Sequence, residues 1–154
     1  MQPGEKLIEI LLADDDADDR DFFREALEES GIPSKLTTVV DGEKLTHYLS
    51  TITSPPPPDV IFLDINMPYK DGKACLREIR KDDKFRNIPV IMFSTSTYVG
   101  DIEETYESGA SLYISKAEFF ENENSMLKKL FSKNWTEKML NVAKEQYVFR
   151  HKDM

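Results

Sequence analysis

Leu7-Ile8-Glu9-Ile10-Leu11-Leu12-Ala13 runs straight into Asp14-Asp15-Asp16, so an apolar stretch of strand length ends on three acids. With only Glu9 to interrupt it, this run has no solvated face and reads as a strand buried on both sides. Four more runs of the same character follow, at residues 36–40, 60–63, 90–93 and 112–114. Between them the apolar residues change to helical spacing. Leu45, Tyr48, Leu49 and Ile52 fall at i, i+3, i+4 and i+7, and Gly72, Cys75, Leu76 and Ile79 repeat those offsets. Phe22, Phe23, Ala26 and Leu27 mark a helix that closes near Gly31, a residue suited to a left-handed cap, with Pro33 beyond it. Ile102 and Tyr106 mark a weaker helix ended by Gly109, and Met126, Leu127, Leu130 and Phe131 mark another. The order is strand then helix, five times.

Strands alternating with helices of this length predict an α/β fold. Each right-handed crossover packs its apolar stripe onto a parallel sheet, giving a doubly wound, five-stranded sheet covered on both faces. Such sheets place ligands beyond the carboxyl ends of their strands. The four consecutive prolines in residues 54–58 predict an extended, exposed connection into the third strand; recognition by an SH3-like partner is the less favoured reading.

Composition narrows the function. The 154 residues carry 29 acidic and 20 basic side chains, a formal charge of −9. A chain of this length makes one domain. Its charge opposes the attraction to phosphate backbones on which nucleic-acid binding rests, so no nucleic-acid partner is expected. No apolar run reaches the ~18–20 residues of a membrane helix, and the first residues lack a secretory signal pattern. The single Cys75 forms no internal disulfide, which suits a reducing compartment, and a cytoplasmic protein is expected.

From Ser132 onward there is extra chain. Trp135, Met139, Val142 and Ala143 lie at i, i+4, i+7 and i+8, predicting a last amphipathic helix, followed by Tyr147-Val148-Phe149. Residues 125–154 hold seven Lys or Arg against three Asp or Glu. A helix folded back over its own acidic body is favoured over a tail that docks another protein.

The chemistry gathers at the strand ends. The first strand ends on Asp14, Asp15 and Asp16, the third on Asp64 followed by Ile65-Asn66-Met67-Pro68, the fourth near Ser94 and Thr95, and the fifth on Lys116. At an effective dielectric of ~20 and a spacing of about 5 Å, each carboxylate pair costs on the order of 3 kcal/mol. Such a pocket calls for a cation, and oxygen-only ligands with room for water suit Mg²⁺ better than Ca²⁺. Taken singly, each piece has an ordinary use: the acids cap a helix N-terminus, Ser94 or Thr95 makes a turn, and a lysine is solvated. Taken together, a carboxylate nucleophile, a divalent ion, a hydroxyl and an ammonium suit acceptance of a phosphoryl group and formation of an aspartyl phosphate.

Over roughly residues 7–131 the chain resembles the response-regulator receiver domains of two-component signalling, which have the flavodoxin-like (βα)5 fold. The resemblance is carried by Ile10-Leu11-Leu12-Ala13-Asp14-Asp15-Asp16, Leu63-Asp64-Ile65-Asn66-Met67-Pro68 with Asp71-Gly72, Phe93-Ser94-Thr95, and Gly109-Ala110 leading to Tyr113-Ile114-Ser115-Lys116. It implies that Asp64 is the phosphoacceptor. Asp15 and Asp64 then bind Mg²⁺ directly, Asn66 offers its backbone carbonyl, and Asp14 acts mainly through ordered water. Lys116 pairs with the phosphoryl oxygens and the Ser94 hydroxyl moves onto one of them. Tyr113 becomes the switch aromatic, turning inward as Ser94 moves and reshaping the face of helix four, strand five and helix five.

The expected division is a receiver over residues 1–131 and a C-terminal extension over 132–154. The resemblance implies a single-domain response regulator of the cytoplasm, phosphorylated by a histidine kinase or histidine phosphotransfer protein. Its output would be a partner protein, a homodimer through that face, or return of phosphate through a relay. No turnover on an external substrate is expected beyond self-phosphorylation and autodephosphorylation. One departure is Ala117, where the family usually has proline after the lysine, often through a cis bond; a cis bond to alanine costs ~2.5–4 kcal/mol rather than the smaller cost before proline, which leaves open both the isomer and the setting of Lys116. Two rivals remain. A phosphohydrolase of the haloacid-dehalogenase type wants Asp-x-Asp, whereas this chain has Asp64-x-Asn66, and an amide shuttles no proton. A receiver-like module silent to phosphorylation would lack an acid or the lysine, and all are present.

Overall fold

A computed structural model describes residues 6–52, 57–140 and 142–151. Five strands, β1 (Ile8–Ala13), β2 (Ser34–Val39), β3 (Val60–Leu63), β4 (Val90–Ser94) and β5 (Leu112–Ser115), form one sheet in the order β2-β1-β3-β4-β5. Every pairing is parallel. The chain steps outward to β2, returns past β1 to β3, and proceeds to β5, so the order reverses between β1 and β3. This is the doubly wound arrangement expected from the alternating pattern.

Because successive strand residues face opposite sides, each strand feeds two cores. Leu11, Ala13, Ile61, Leu63, Val90, Met92 and Tyr113 pack on one face with helices α2 (Gly42–Thr51) and α3 (Gly72–Lys81). Ile102 and Tyr106 of α4 (Val99–Glu107) lie against the same core. Ile10, Leu12, Val60, Phe62, Ile91, Phe93 and Ile114 pack on the other with α1 (Ala17–Ser30), α5 (Lys116–Glu121) and α6 (Glu123–Leu130). Burial on both faces explains the apolar runs of β3 and β4, whereas the edge strand β2, with Ser34, Lys35, Thr37 and Thr38, has no fully buried residue and departs from the expectation of a strand buried on both sides.

The helices start where the strands stop. Asp16, Asp41, Asp71 and Ser115 are the N-caps of α1, α2, α3 and α5, each accepting the backbone N–H three residues on. Gly31 closes α1 at φ 73°, in the left-handed region that glycine enters without steric cost.

Two expectations are revised. The single helix marked by Met126, Leu127, Leu130 and Phe131 is preceded by a separate short one, α5, that begins at Lys116 itself and breaks at Asn122. The last amphipathic helix shrinks to α7 (Trp135–Lys138), with a 3₁₀ turn at Lys144–Gln146. The reason lies in the destinations of the apolar residues. Met139 belongs to the core beneath α1 and α5, Tyr147 to the opposite core, and Tyr113 of β5 pairs with Val148. A straight helix from Trp135 could not serve both faces of a sheet and also reach its edge. The proline-rich stretch lies mostly outside the described residues, at 53–56. Among the described residues no helix is long and apolar enough to cross a membrane.

Candidate functional site at the carboxyl ends of the strands

Strand register builds the site. Ala13 pairs with Leu63, so Asp14 and Asp64, the next residue on each strand, emerge side by side. Asp64 N–H donates to the Ala13 carbonyl at 3.0 Å and Asp14 N–H to the Val39 carbonyl at 3.1 Å, which ties both acids to the sheet. Ser94 pairs with Ser115, delivering Lys116 to the same rim. Asp14, Asp64, Ser94 and Lys116 are all buried, whereas Asp15 and Asn66 are exposed at the mouth.

The Lys116 ammonium lies 2.8 Å from Asp14 Oδ2, 3.0 Å from Asp64 Oδ2 and 2.9 Å from Asp19 Oδ2. Its neighbour Phe93 places an aromatic ring 5.7 Å below the nitrogen. Asp14, Asp15 and Asp64 each offer a carboxylate oxygen, all within 4.8 Å of one another. Asp14 Oδ2 is fully buried and, despite its ionic contact with Lys116, accepts no aligned hydrogen bond. A buried oxygen met only by the Lys116 ammonium and clustered with two further carboxylates fits a hard divalent ion.

The charges strain one another. Burial pushes the Asp14 carboxyl up to about 6, against the pull of Lys116 and of the Asp16 backbone N–H. Burial also raises Asp64, opposed by Lys116 and by the N–H groups of Asn66 and Ile65. For Lys116, burial alone would lower the pKa, but its contacts with Asp14, Asp19 and Asp64 outweigh it and the ammonium is held more firmly protonated than usual.

Of the two hydroxyls considered after β4, Ser94 is buried at the strand end and accepts the Ser96 N–H at 3.1 Å, while Thr95 is exposed. Tyr113 is already buried, at 1% exposure, and its hydroxyl donates to the Ser96 carbonyl at 2.8 Å. Tyr113 thus stands in the inward position that the resemblance assigns to the switch aromatic. Gly72 sits so close beneath Asp64 that a Cβ there would collide with the Asp64 carbonyl oxygen.

Two contributors escape a reading of sequence alone. Asp19 looks like one more acid of the α1 N-terminus, yet it touches Lys116. Ser96 carries no motif, yet it receives the Tyr113 hydroxyl. Both contacts join residues far apart in the chain, and no periodicity announces them.

A parallel sheet in this order, with acids after β1 and β3, a buried hydroxyl after β4 and a lysine after β5, defines a phosphoacceptor receiver. The chain belongs to the response regulator receiver domain family, whose model matches residues 10–130. It is 32% identical over 111 residues to the response regulator Rcp1 of Synechocystis, covering 70% of this chain and 76% of that one. Among solved structures, the phosphorylated cyanobacterial phytochrome response regulator RcpA superposes with a TM-score of 0.73 at 31% identity, over 82% of this chain and 94% of that one. The Mn²⁺-bound form of Rcp1 gives 0.74 at 28% identity, over 81% and 95%. The resemblance read from the motifs is thus family membership. The chain is a receiver homologous to single-domain response regulators such as Rcp1 and RcpA, the latter solved in its phosphorylated form, which accords with phosphoryl acceptance and signalling.

Proposed function

We propose that Asp64 is the phosphoacceptor, that Asp15, Asp64 and the Asn66 backbone carbonyl hold Mg²⁺ directly with Asp14 acting through water, and that a histidine kinase or histidine phosphotransfer protein is the donor. The observation that carries this reading is the cluster of Asp14, Asp15 and Asp64 oxygens with Lys116 lying against two of them. That the Rcp1 neighbour is a Mn²⁺-bound form supports the choice of a divalent ion.

In the proposed reaction an Asp64 carboxylate oxygen attacks phosphorus in line. The P–N bond of the donor phosphohistidine breaks, its electron pair stays on the imidazole nitrogen, and that nitrogen takes up a proton. A bound divalent ion supplies charge neutralisation on the phosphoryl oxygens. Lys116 leaves its carboxylates to pair with one oxygen, and Ser94 donates its hydroxyl to another. Turnover on an external small molecule is not part of this reading, because Asn66 stands where an acid-base catalyst would be needed. We place the protein in the cytoplasm, with no nucleic-acid or membrane partner.

A receiver over residues 1–131 with an extension over 132–154 remains the proposed division. A homodimer through the face of α4, β5 and α5 would have to form around residues 147–149, which lie along β5.

The test is incubation with acetyl phosphate or beryllofluoride and Mg²⁺. Acid-labile phosphate that depends on Asp64 and on Mg²⁺ is expected. Labelling elsewhere, or none with any donor, would leave the silent module.

A further inference from the structure

The C-terminal tail does more than cover an edge. The Tyr113 N–H donates to the Tyr147 carbonyl and the Phe149 N–H donates to the Tyr113 carbonyl, each at 2.9 Å, so Val148 lies opposite Tyr113 as a parallel bridge. Further along, the His151 N–H donates to Glu118 Oε1 at 2.7 Å, pinning the tail to α5 just beyond Lys116.

Tyr147 is as deeply buried as Tyr113. Its ring lies edge-on to Tyr106 at 5.1 Å and to Tyr113 at 6.1 Å. Its hydroxyl is 2.7 Å from Thr105 Oγ1. Thr105 donates its own proton to the Asp101 carbonyl at 2.8 Å, which leaves Tyr147 as the donor of the pair.

Two routes lead from these contacts to the rim. Tyr113 donates to the Ser96 carbonyl, and the Ser96 N–H donates to Ser94 Oγ. Asp101, whose carbonyl holds Thr105, accepts the Ser96 hydroxyl on its carboxylate at 2.6 Å. Ser96 is therefore gripped from both sides by residues that the tail contacts directly or through Thr105. Ser96 in turn sets the segment that carries Ser94.

We propose that residues 142–151 are an intramolecular ligand of the switch, with Tyr147 as a positioning residue, so that tail docking and phosphoryl uptake promote one another. The inference rests on the reading that Asp64 and Ser94 form the phosphoryl site. Docking fixes Tyr113 inside and Ser96 in place, so the Ser94 hydroxyl is ordered before the phosphoryl group arrives and the cost of ordering it is already met. Linkage makes the effect reciprocal: whatever the tail adds to phosphoryl affinity, phosphorylation adds to tail docking.

The test loads the full chain with beryllofluoride and Mg²⁺ and follows two readouts. Hydrogen exchange in peptides covering residues 111–115 and 145–151 is expected to slow several-fold on loading, and to stay unchanged in Asp64→Asn. Beryllofluoride affinity, read by fluorine NMR, is expected to weaken about tenfold in Tyr147→Ala, within the usual range of coupling between sites. Tyr147→Phe keeps the ring and removes only the Thr105 bond, with a loss of about threefold expected; it serves if the alanine variant does not fold. Loading at Asp64 that leaves tail exchange unchanged, or speeds it, overturns the coupling while the phosphoacceptor reading stands. Wild-type affinity in both Tyr147 variants also overturns it. A wild-type chain that binds no beryllofluoride overturns the coupling and the site reading together.

Discussion

Lys116 Nζ and Asp19 Oδ2 are 2.9 Å apart, although 97 positions separate the two residues. Asp19 sits in the first turn of α1 and is not among the three acids whose oxygens cluster for an ion. It holds the ammonium from outside the acidic cluster. Sharing Lys116 with Asp64, the Asp19 carboxylate would repel a phosphoryl group arriving there, by on the order of a few kcal/mol at an effective dielectric near 20 before screening.

Asp19→Asn is therefore expected to raise the initial rate of labelling by acetyl phosphate several-fold, with the gain shrinking as ionic strength increases. Stopped-time labelling at low and high salt measures this. A slower variant would show that Asp19 places Lys116 productively rather than restraining it.

Asp64→Asn is expected to abolish acid-labile phosphate. Lys116→Ala is expected to keep Mg²⁺ binding, because the clustered oxygens belong to Asp14, Asp15 and Asp64, while uncoupling phosphorylation from the conformational response. Mg²⁺ titration alongside hydrogen exchange of the phosphorylated protein separates the two effects. Loss of Mg²⁺ binding in the lysine variant would argue against this division of roles.

Gly72→Ala is expected to cost about 2–4 kcal/mol, because the new methyl group meets backbone atoms of Asp64 and Ile65 rather than a flexible side chain, so the chain itself must shift. Denaturant unfolding gives the loss directly. Labelling should fall as well, since the collision displaces the backbone of Asp64, the proposed acceptor. An unchanged midpoint would mean that α3 slides freely over β3.

The Asp14 carboxyl makes metal-free stability depend on pH. Unfolded, it ionises near its ordinary 3.8; folded, burial first of all raises it to about 6. Between these values the native state holds a proton that the unfolded chain has released, so stability falls as pH rises from about 4 to above 6. The loss is on the order of 3 kcal/mol. Asp14→Asn carries no such proton, so its stability relative to wild type should improve between about pH 4.5 and pH 7.5 in chelator. Thermal melts of both proteins at the two pH values, with and without Mg²⁺, test this. A stability difference independent of pH would mean that Asp14 ionises normally.

Much of this molecule was legible from local pattern. The apolar runs of the inner strands, the i, i+3, i+4 stripes and Gly31 follow from burial and backbone sterics acting over a few residues, and they specify a two-faced parallel sheet. Parallel strands in this order bring their carboxyl ends to one rim, so Asp14, Asp64, Ser94 and Lys116 could be grouped before any coordinates were known. What followed Phe131 was less legible, because Trp135, Met139 and Val142 fit a helix that the chain abandons after Lys138.

The amino-acid order by itself determined the architecture and the set of acids, hydroxyl and ammonium at its rim, since those depend on residue type and short-range spacing. Tertiary structure alone decided that Asp19 shares Lys116, that Tyr113 is buried against Ser96, and that Tyr147 reaches Thr105 from 42 positions away. These are contacts between side chains distant in the chain. They form only where independently folded elements meet, and no local propensity encodes which neighbour a buried polar group will find.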